Sequence, residues 1–467
     1  GGTIDSPLAG SGQGNGGTPP SFAALSGLIV NAYRRMGHGA KLTSSYMSRM
    51  FLIAAVMYVD DTDLLHWDPS VTTTDEELIE QVQQATNDWG LLSQATGGIL
   101  KQEKCSVYFL SYKFVNGRAR LKSLEDLPPA TGVVTLKDGT SAPSHISIPQ
   151  PDGTSVPIQT HDVSEPSKML GVHYAPIGDG SKHIAKMTEK GFDWADNIAT
   201  RPLSRRDTWM SFFLQLYPGI SWGLVSVILP PLELESMMHK LYRKVLPLLG
   251  VNRNITTEWR MLPEMFQGLG LPNFTVVAFA KKMFFLQCNW GFTGGHCDLM
   301  QFAFEAFLIE IGLYGNVFQM AFADFGILAT SGTWFRNFWE LGDYLDIKVS
   351  LHTSYHIQPV REGDRALMEE FARAGFAHKD LVSLNTVRKS KQLLHLSDIV
   401  CCDGRTVDRD ILTREPGAES CHGFPVEWPV AADYKLWDHA ICAISSSTYF
   451  LPEALGTFLT PPREDIL

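Results

Sequence analysis

The sequence predicts an α+β fold, an antiparallel sheet with helices, followed by a mainly helical region, and three observations predict it. Up to residue 115 the pattern runs helix, strand–turn–strand, helix, strand, the order in which an antiparallel sheet is backed by helices. Residues 125–166 repeat Asp-Gly-Thr-Ser amid Pro-rich segments, as expected of successive turns between short strands, and read as an inserted β-rich element or flexible flap. From Lys168 onward apolar residues recur at helical spacing. A chain of 467 residues exceeds one ordinary core, and these shifts of pattern divide it at 1–124, 125–166, 167–275 and 276–467.

Taken in order, residues 21–50 read as helix, with Phe22, Leu25, Ile29, Ala32 and Tyr33 as apolar positions and Gly37 as a stop. Phe51 to Val59 is short, apolar and followed at once by Asp60 and Asp61, so it reads as a buried strand ending in a hairpin tip. The next helix is marked by Thr74 as N-cap and Glu77 as the acid of a capping box. Leu78, Val82, Ala85 and Trp89 make its stripe, and Gly97-Gly98 closes it. "CSVYFLSYKFV" follows as a strand.

Residues 208–232 are uncharged for a length that would span a membrane, but Pro218, Gly219 and Pro230-Pro231 interrupt them, so two buried helices joined by a turn are expected. "ELESMMHKLYRKVLPLLG" places Leu234, Met237 or Met238, Leu241, Val245 and Leu248 on one helix face, with Lys240, Arg243 and Lys244 elsewhere. Residues 275–342 read as buried helices, and the segment from about 350 as a smaller C-terminal region.

Composition narrows the function. Seven cysteines without regular spacing indicate a reducing, intracellular setting rather than a disulfide framework. No signal peptide or membrane-spanning segment is legible. Cys288, His296 and Cys297, and Cys401, Cys402, Cys421 and His422, lack the paired spacing of a zinc site and read as ordinary thiols and imidazoles. "GQGNGG" lacks the Gly-Lys-Ser/Thr that would make it a phosphate loop. The net charge is −11, yet residues 168–262 carry twelve Lys and Arg against eight Asp and Glu, which leaves room for a local basic surface.

Two adjacent carboxylates at a hairpin tip repel by roughly 4 kcal/mol at ~4 Å and an effective dielectric near 20. Folding alone gives no reason for the pair, whereas a divalent cation does. The order of neighbouring motifs sharpens this. "GQGNGGTPP" precedes a helix, "YVDD" forms the hairpin, "TGGILKQEKCS" follows the next helix, and "KMLGV" is a short Leu-Gly turn.

In that order these motifs resemble B, C, D and E of the reverse transcriptase palm, in particular of non-LTR retroelements, over about residues 5–275, with a helical thumb after motif E. The resemblance implies RNA-directed DNA polymerisation by two-metal nucleotidyl transfer, with Mg²⁺ or alternatively Mn²⁺, on an RNA template, a DNA primer and dNTPs. It implies metal ligation by Asp60 and Asp61, and placement of Tyr58 near the primer end. Gln13 and Gly14 would approach the template base and incoming nucleotide, Lys104 would neutralise or protonate the pyrophosphate, and Lys168, Leu170 and Gly171 would support the primer. Nuclear action is what the family implies. Motif A, the family's other metal-binding aspartate, is not legible ahead of Gln13, so the expectation is an N-terminally truncated polymerase that does not extend a primer by itself. A non-catalytic palm–thumb module that binds RNA or a protein is the alternative.

Overall fold

The computed structural model describes residues 18–44, 50–58, 61–68, 70, 73–115, 118–290, 295–351, 357, 359–414 and 428–459. The chain divides into two compact units, one of Gly1–Thr43, Ser48–Lys113 and Leu121–Glu165, the other of Ser44–Met47, Phe114–Arg120 and Pro166–Leu467. The fold is mixed α and β with small, mostly antiparallel sheets. No helix among the described residues is long and apolar enough to cross a membrane.

In chain order the first elements are α1 (Thr18–Arg35), β1 (Ala40–Thr43), β2 (Met50–Ile53), β3 (Ala55–Tyr58), β4 (Asp61–Leu64) and α2 (Asp75–Ala95). They continue with β5 (Ser106–Tyr108), β6 (Tyr112–Val115), β7 (Arg118–Leu121), β8 (Gly132–Thr135), β9 (Ser141–Ser144), β10 (Ile146–Pro149) and β11 (Ser155–His161).

Three sequence expectations change here. The first helix stops at Arg35, and the residues after Gly37 form β1 instead of continuing it. The apolar run at 51–59 is not one buried strand: β2 pairs with β1 and β3 with β4, both antiparallel, on either side of buried Ala54. "CSVYFLSYKFV" is likewise split into β5 and β6. Strands this short pair with whatever edge is nearest, so the expected single sheet is replaced by six small sheets among the described residues. One of them is mixed, with β5 parallel to β11.

Helix α2 organises the first unit. Thr74 Oγ1 accepts from the Glu77 amide at 3.2 Å and the Glu77 carboxylate accepts from the Thr74 amide at 2.9 Å, the reciprocal cap read from the sequence. The N-terminal part of its stripe (Leu78, Ile79, Val82) packs on Phe109, Ile146, Ile148 and Ile158. Further along, Ala85 and Trp89 pack with Tyr33 and Ala54. The edge of β10 is closed by side-chain amides, since Gln83 accepts from the Ser147 amide and donates to its carbonyl, both at 2.8 Å. Gly90 has to be glycine because Pro149 lies 2.4 Å from where a Cβ would stand. Residues 125–166 thus form a packed layer, and their two Asp-Gly-Thr turns are alike: Asp138 accepts from the Thr140 amide at 2.9 Å, as Asp152 does from that of Thr154.

The second unit begins with β12 (Ser167–Met169) and β13 (Val172–Tyr174), followed by α3 (Ser181–Ala199), α4 (Arg205–Ser211), α5 (Tyr217–Ser221), α6 (Pro231–Leu248) and α7 (Thr257–Met261). Then come α8 (Phe274–Trp290), α9 (Gly295–Ile311), α10 (Phe322–Phe325), α11 (Trp334–Tyr344), α12 (Leu367–Arg373), α13 (His378–Lys391) and α14 (Ala431–Ile444). One continuous core joins them. Leu234, Met237, Met238, Leu241 and Val245 of α6 are buried as the periodicity predicts, Leu248 is only half-buried, and Tyr242 and Leu246 are added to the buried face.

The uncharged run at 208–232 turns at Pro230-Pro231 rather than at Pro218-Gly219. A π turn, Phe212–Leu216, joins α4 to α5, and Pro218 falls in the first turn of α5. Buried Phe212, Leu216, Ile220 and Leu224 recur every four residues. That spacing exceeds the helical repeat of about 3.6, and the wider π turn takes up the difference.

Candidate functional site

Hairpin β3–β4 has the register Ala55↔Leu64, Val56↔Asp63, Met57↔Thr62 and Tyr58↔Asp61. Residues directly opposite share a face and alternate along the strand. Met57 and Leu64 pack toward Tyr33, Ala54, Ala85 and Trp89, so Asp61 and Asp63 stand on the other, outward face with half-exposed Val56. The apolar residues of "AVMY" and "DTDLL" thereby fix which way the carboxylates point. Val59 and Asp60 lie between the paired strands in sequence and outside the described residues, as do Gln13 and Gly14; for Tyr58 only the backbone is described.

Asp63 was not singled out from sequence, although its period-two spacing from Asp61 was the available signal. The two carbons are about 7 Å apart along the strand. The Asp63 carboxyl keeps accessible area, yet desolvation by surrounding protein, and after it the Asp61 carboxylate, push it above the ordinary carboxylate value. Carboxylate oxygens are hard donors of the chemical kind that ligates Mg²⁺ or Mn²⁺, and these two carboxylates repel each other. Among the described residues no three His, Cys, Asp or Glu side chains gather as a metal site.

Lys104 ends a 3₁₀ turn, Gln102–Lys104, and is exposed. The turn is anchored on β11, where Gln102 Nε2 donates to the Pro157 carbonyl at 2.7 Å. The contacts of Lys104 therefore belong to the β5–β11 layer, and no hydrogen bond or ion pair among the described residues brings it to Asp61.

In the second unit the structure joins Lys168, Leu170 and Gly171 in one hairpin. β12 and β13 pair as Ser167↔Tyr174, Lys168↔His173 and Met169↔Val172. Leu170 (φ 48°) and Gly171 (φ 84°) make the two-residue connection, both left-handed. That is the backbone a tight hairpin requires. Glycine takes it freely, whereas leucine is strained there by roughly 1–2 kcal/mol. Trp222 Nε1 donates to the Leu170 carbonyl at 3.1 Å and braces the turn.

The surface around this hairpin is basic and partly apolar. Lys168, Lys182 and Lys186 are exposed. Burial, and then the charges of Lys182, Lys168 and Lys186, hold the His173 imidazole below its usual value. Burial lowers His183 to about 4, with His173 adding to the effect, so its ring is neutral at physiological pH. The His183 Nδ1 accordingly accepts from the His173 amide at 3.4 Å. Met169, Leu170, Tyr174 and Trp222 are all more than two-fifths exposed beside these cations. Lys182 and Lys186 stand four residues apart on α3, and Trp222 reaches the hairpin from 52 residues beyond Leu170; the sequence reading singled out none of the three.

No protein-family model matches the chain, and searches of curated proteins and of solved structures find no match either.

Proposed function

We propose that this chain is reverse transcriptase-like and serves RNA-directed DNA synthesis by two-metal nucleotidyl transfer. The observation that carries the reading is the β3–β4 hairpin, whose register pairs Tyr58 with Asp61 and leaves Asp61 and Asp63 on the face turned from the core. A hairpin that only folded would gain nothing from that concentration of negative charge. Asp60 and Asp61 would hold Mg²⁺, with Asp63 close along the strand. Bound there, the metal supplies Lewis-acid stabilisation of phosphate oxygens and activation of the primer hydroxyl. The residues' own part is to fix the carboxylates on a packed ribbon and to keep repulsion between them until a cation arrives. Gln13, Gly14 and Tyr58 are proposed to meet the nucleotide and primer end, Lys104 the pyrophosphate, and Lys168, Leu170 and Gly171 the primer strand.

The basic hairpin surface supports the part that concerns primer. Lysines at Lys168, Lys182 and Lys186 suit phosphates, and exposed Tyr174 and Trp222 suit sugar or base faces. The same surface favours a second reading, a non-catalytic palm–thumb module that binds RNA, because among the described residues it is more complete than the carboxylate site.

Primer extension on an RNA template with Mg²⁺ and dNTPs separates the two. Incorporation that Asp60→Asn abolishes supports the polymerase. Without incorporation the metal decides: template–primer binding that Mg²⁺ strengthens in the wild type but not in Asp60→Asn supports a polymerase palm that does not extend a primer by itself, binding indifferent to both supports the binding module, and neither binding nor incorporation overturns both.

A further inference from the structure

A groove of about 570 Å³ lies between α6 and α7, and the proposed polymerase chemistry makes no use of it. Its basic side chains are His239, Lys240 and Arg243 from α6 and Arg260 from α7, with Glu235 as the one carboxylate in the lining. Arg260 is only 7% exposed. Its Nε donates to the carbonyls of Ile255 at 3.0 Å and Thr256 at 3.4 Å, and an Nη to Thr257 Oγ1 at 3.3 Å. These are neutral acceptors. Among the described residues no ion pair engages Arg260, His239, Lys240 or Arg243, whereas the next cation along, Lys244, is tied to Asp196 at 2.8 Å.

An enclosed guanidinium whose hydrogen bonds go to neutral oxygens remains open to an incoming anion, although the exposed Glu258 carboxylate offsets part of its charge. Three permanent cations facing one lining carboxylate, in a chain of net charge −11, mark this groove as an anion site. The rest of the lining says which anion. Half-buried Met261 and the 69% exposed Leu232 add apolar contact beside the cations, over a floor that includes buried Met238. A duplex presents phosphates and sugars and keeps its base faces stacked inside, so it has little use for such a wall. A single strand offers both phosphates and unstacked bases.

We propose that the α6–α7 groove holds single-stranded RNA, with phosphates on Lys240, Arg243 and Arg260 and a base face against Leu232 and Met261. The proposal rests on the reading of the chain as a nucleic-acid protein but needs neither the metal nor the carboxylate hairpin.

The test is fluorescence anisotropy of the full chain with a labelled oligouridine, an RNA–DNA duplex of equal length and polyglutamate as competitor. K240E/R243E and the milder K240Q/R243Q change exposed residues, and circular dichroism melts confirm that each variant is folded. The expected result is at least a tenfold loss of oligouridine affinity in K240E/R243E. The slope of log affinity against log salt should fall by about 1.4, since each lost single-strand phosphate contact contributes about 0.7. K168E/K182E on the hairpin should leave that slope contribution in place. If the groove variants bind oligouridine as the wild type does while K168E/K182E weakens it, the groove is wrong and the nucleic-acid reading stands. Equal loss for duplex, or displacement of oligouridine by polyglutamate at equal charge, overturns the single-strand assignment. A wild-type chain that binds no nucleic acid overturns both readings.

Discussion

The two units handle charge in opposite ways. The first is held by two small clusters, Tyr33, Ala54, Ala85 and Trp89 in one and Phe109, Ile146, Ile148 and Ile158 in the other. The second has a single core running from Met187 to Leu455. In that large core basic side chains are enclosed. Arg388 is wholly buried, donating to the Leu393 carbonyl at 2.9 Å, to Asn385 Oδ1 at 2.8 Å and to the carbonyls of Ile309 and Glu310. Lys282 is wholly buried as well, donating to the carbonyls of Val225 at 3.2 Å and Val227 at 3.0 Å beneath the Trp334 ring. The small cores of the first unit leave Asp61 and Asp63 on its surface instead. A core must be large to absorb the desolvation of an ion. A small one leaves its carboxylates where a cation can reach them.

The largest effect that would break this comparison is expected from Trp89→Ala. Trp89 is one of four residues in its cluster, and the substitution should cost about 3–5 kcal/mol. Urea denaturation followed by near-ultraviolet circular dichroism should show an early transition shift while the main transition stays in place. A uniform shift of a single transition would mean that the two units do not differ as described.

Lys282 gives the next largest effect. Burial pushes its ammonium down to about 7, well below the unfolded value near 10.4. Between those values the unfolded chain holds a proton that the folded chain has released, so stability rises with pH, by up to about 1.4 kcal/mol per pH unit. Below pH 7 both states are protonated, and the folded state bears the cost of the buried charge. Denaturation midpoints of the wild type should therefore climb from pH 7 to pH 10, and those of Lys282→Met should climb less. Parallel pH profiles for the two would contradict the assignment.

Thr74→Ala is the smallest test. It removes the side-chain half of the cap on α2 and should cost about 1 kcal/mol, read as a shift of the first unit's transition only.

What could be read in the sequence was what short segments decide for themselves. The Thr74–Glu77 cap spans four residues, the stripe of α6 repeats within one helix, and "LG" in "KMLGV" carries its own turn. Asp63 was within reach by strand alternation. Pairing and burial were not legible, because distant residues decide them. The break at Ala54 follows from two different partner strands, β1 and β4. The parallel pairing of β5 with β11 joins residues more than fifty apart. Nothing local in "FAKKMFF" tells that Lys282 is enclosed while Lys281 beside it is half-buried. The Tyr-Val-Asp-Asp motif was read from order and spacing, and the structure adds the face on which its second aspartate stands.

Mn²⁺ titration of the full chain, followed by electron paramagnetic resonance of the free ion, tests the proposed cation site at this hairpin. The expected result is a site with sub-millimolar affinity that disappears in the Asp60→Asn, Asp61→Asn double variant. Absence of binding below millimolar Mn²⁺, or binding that survives the double substitution, would contradict it.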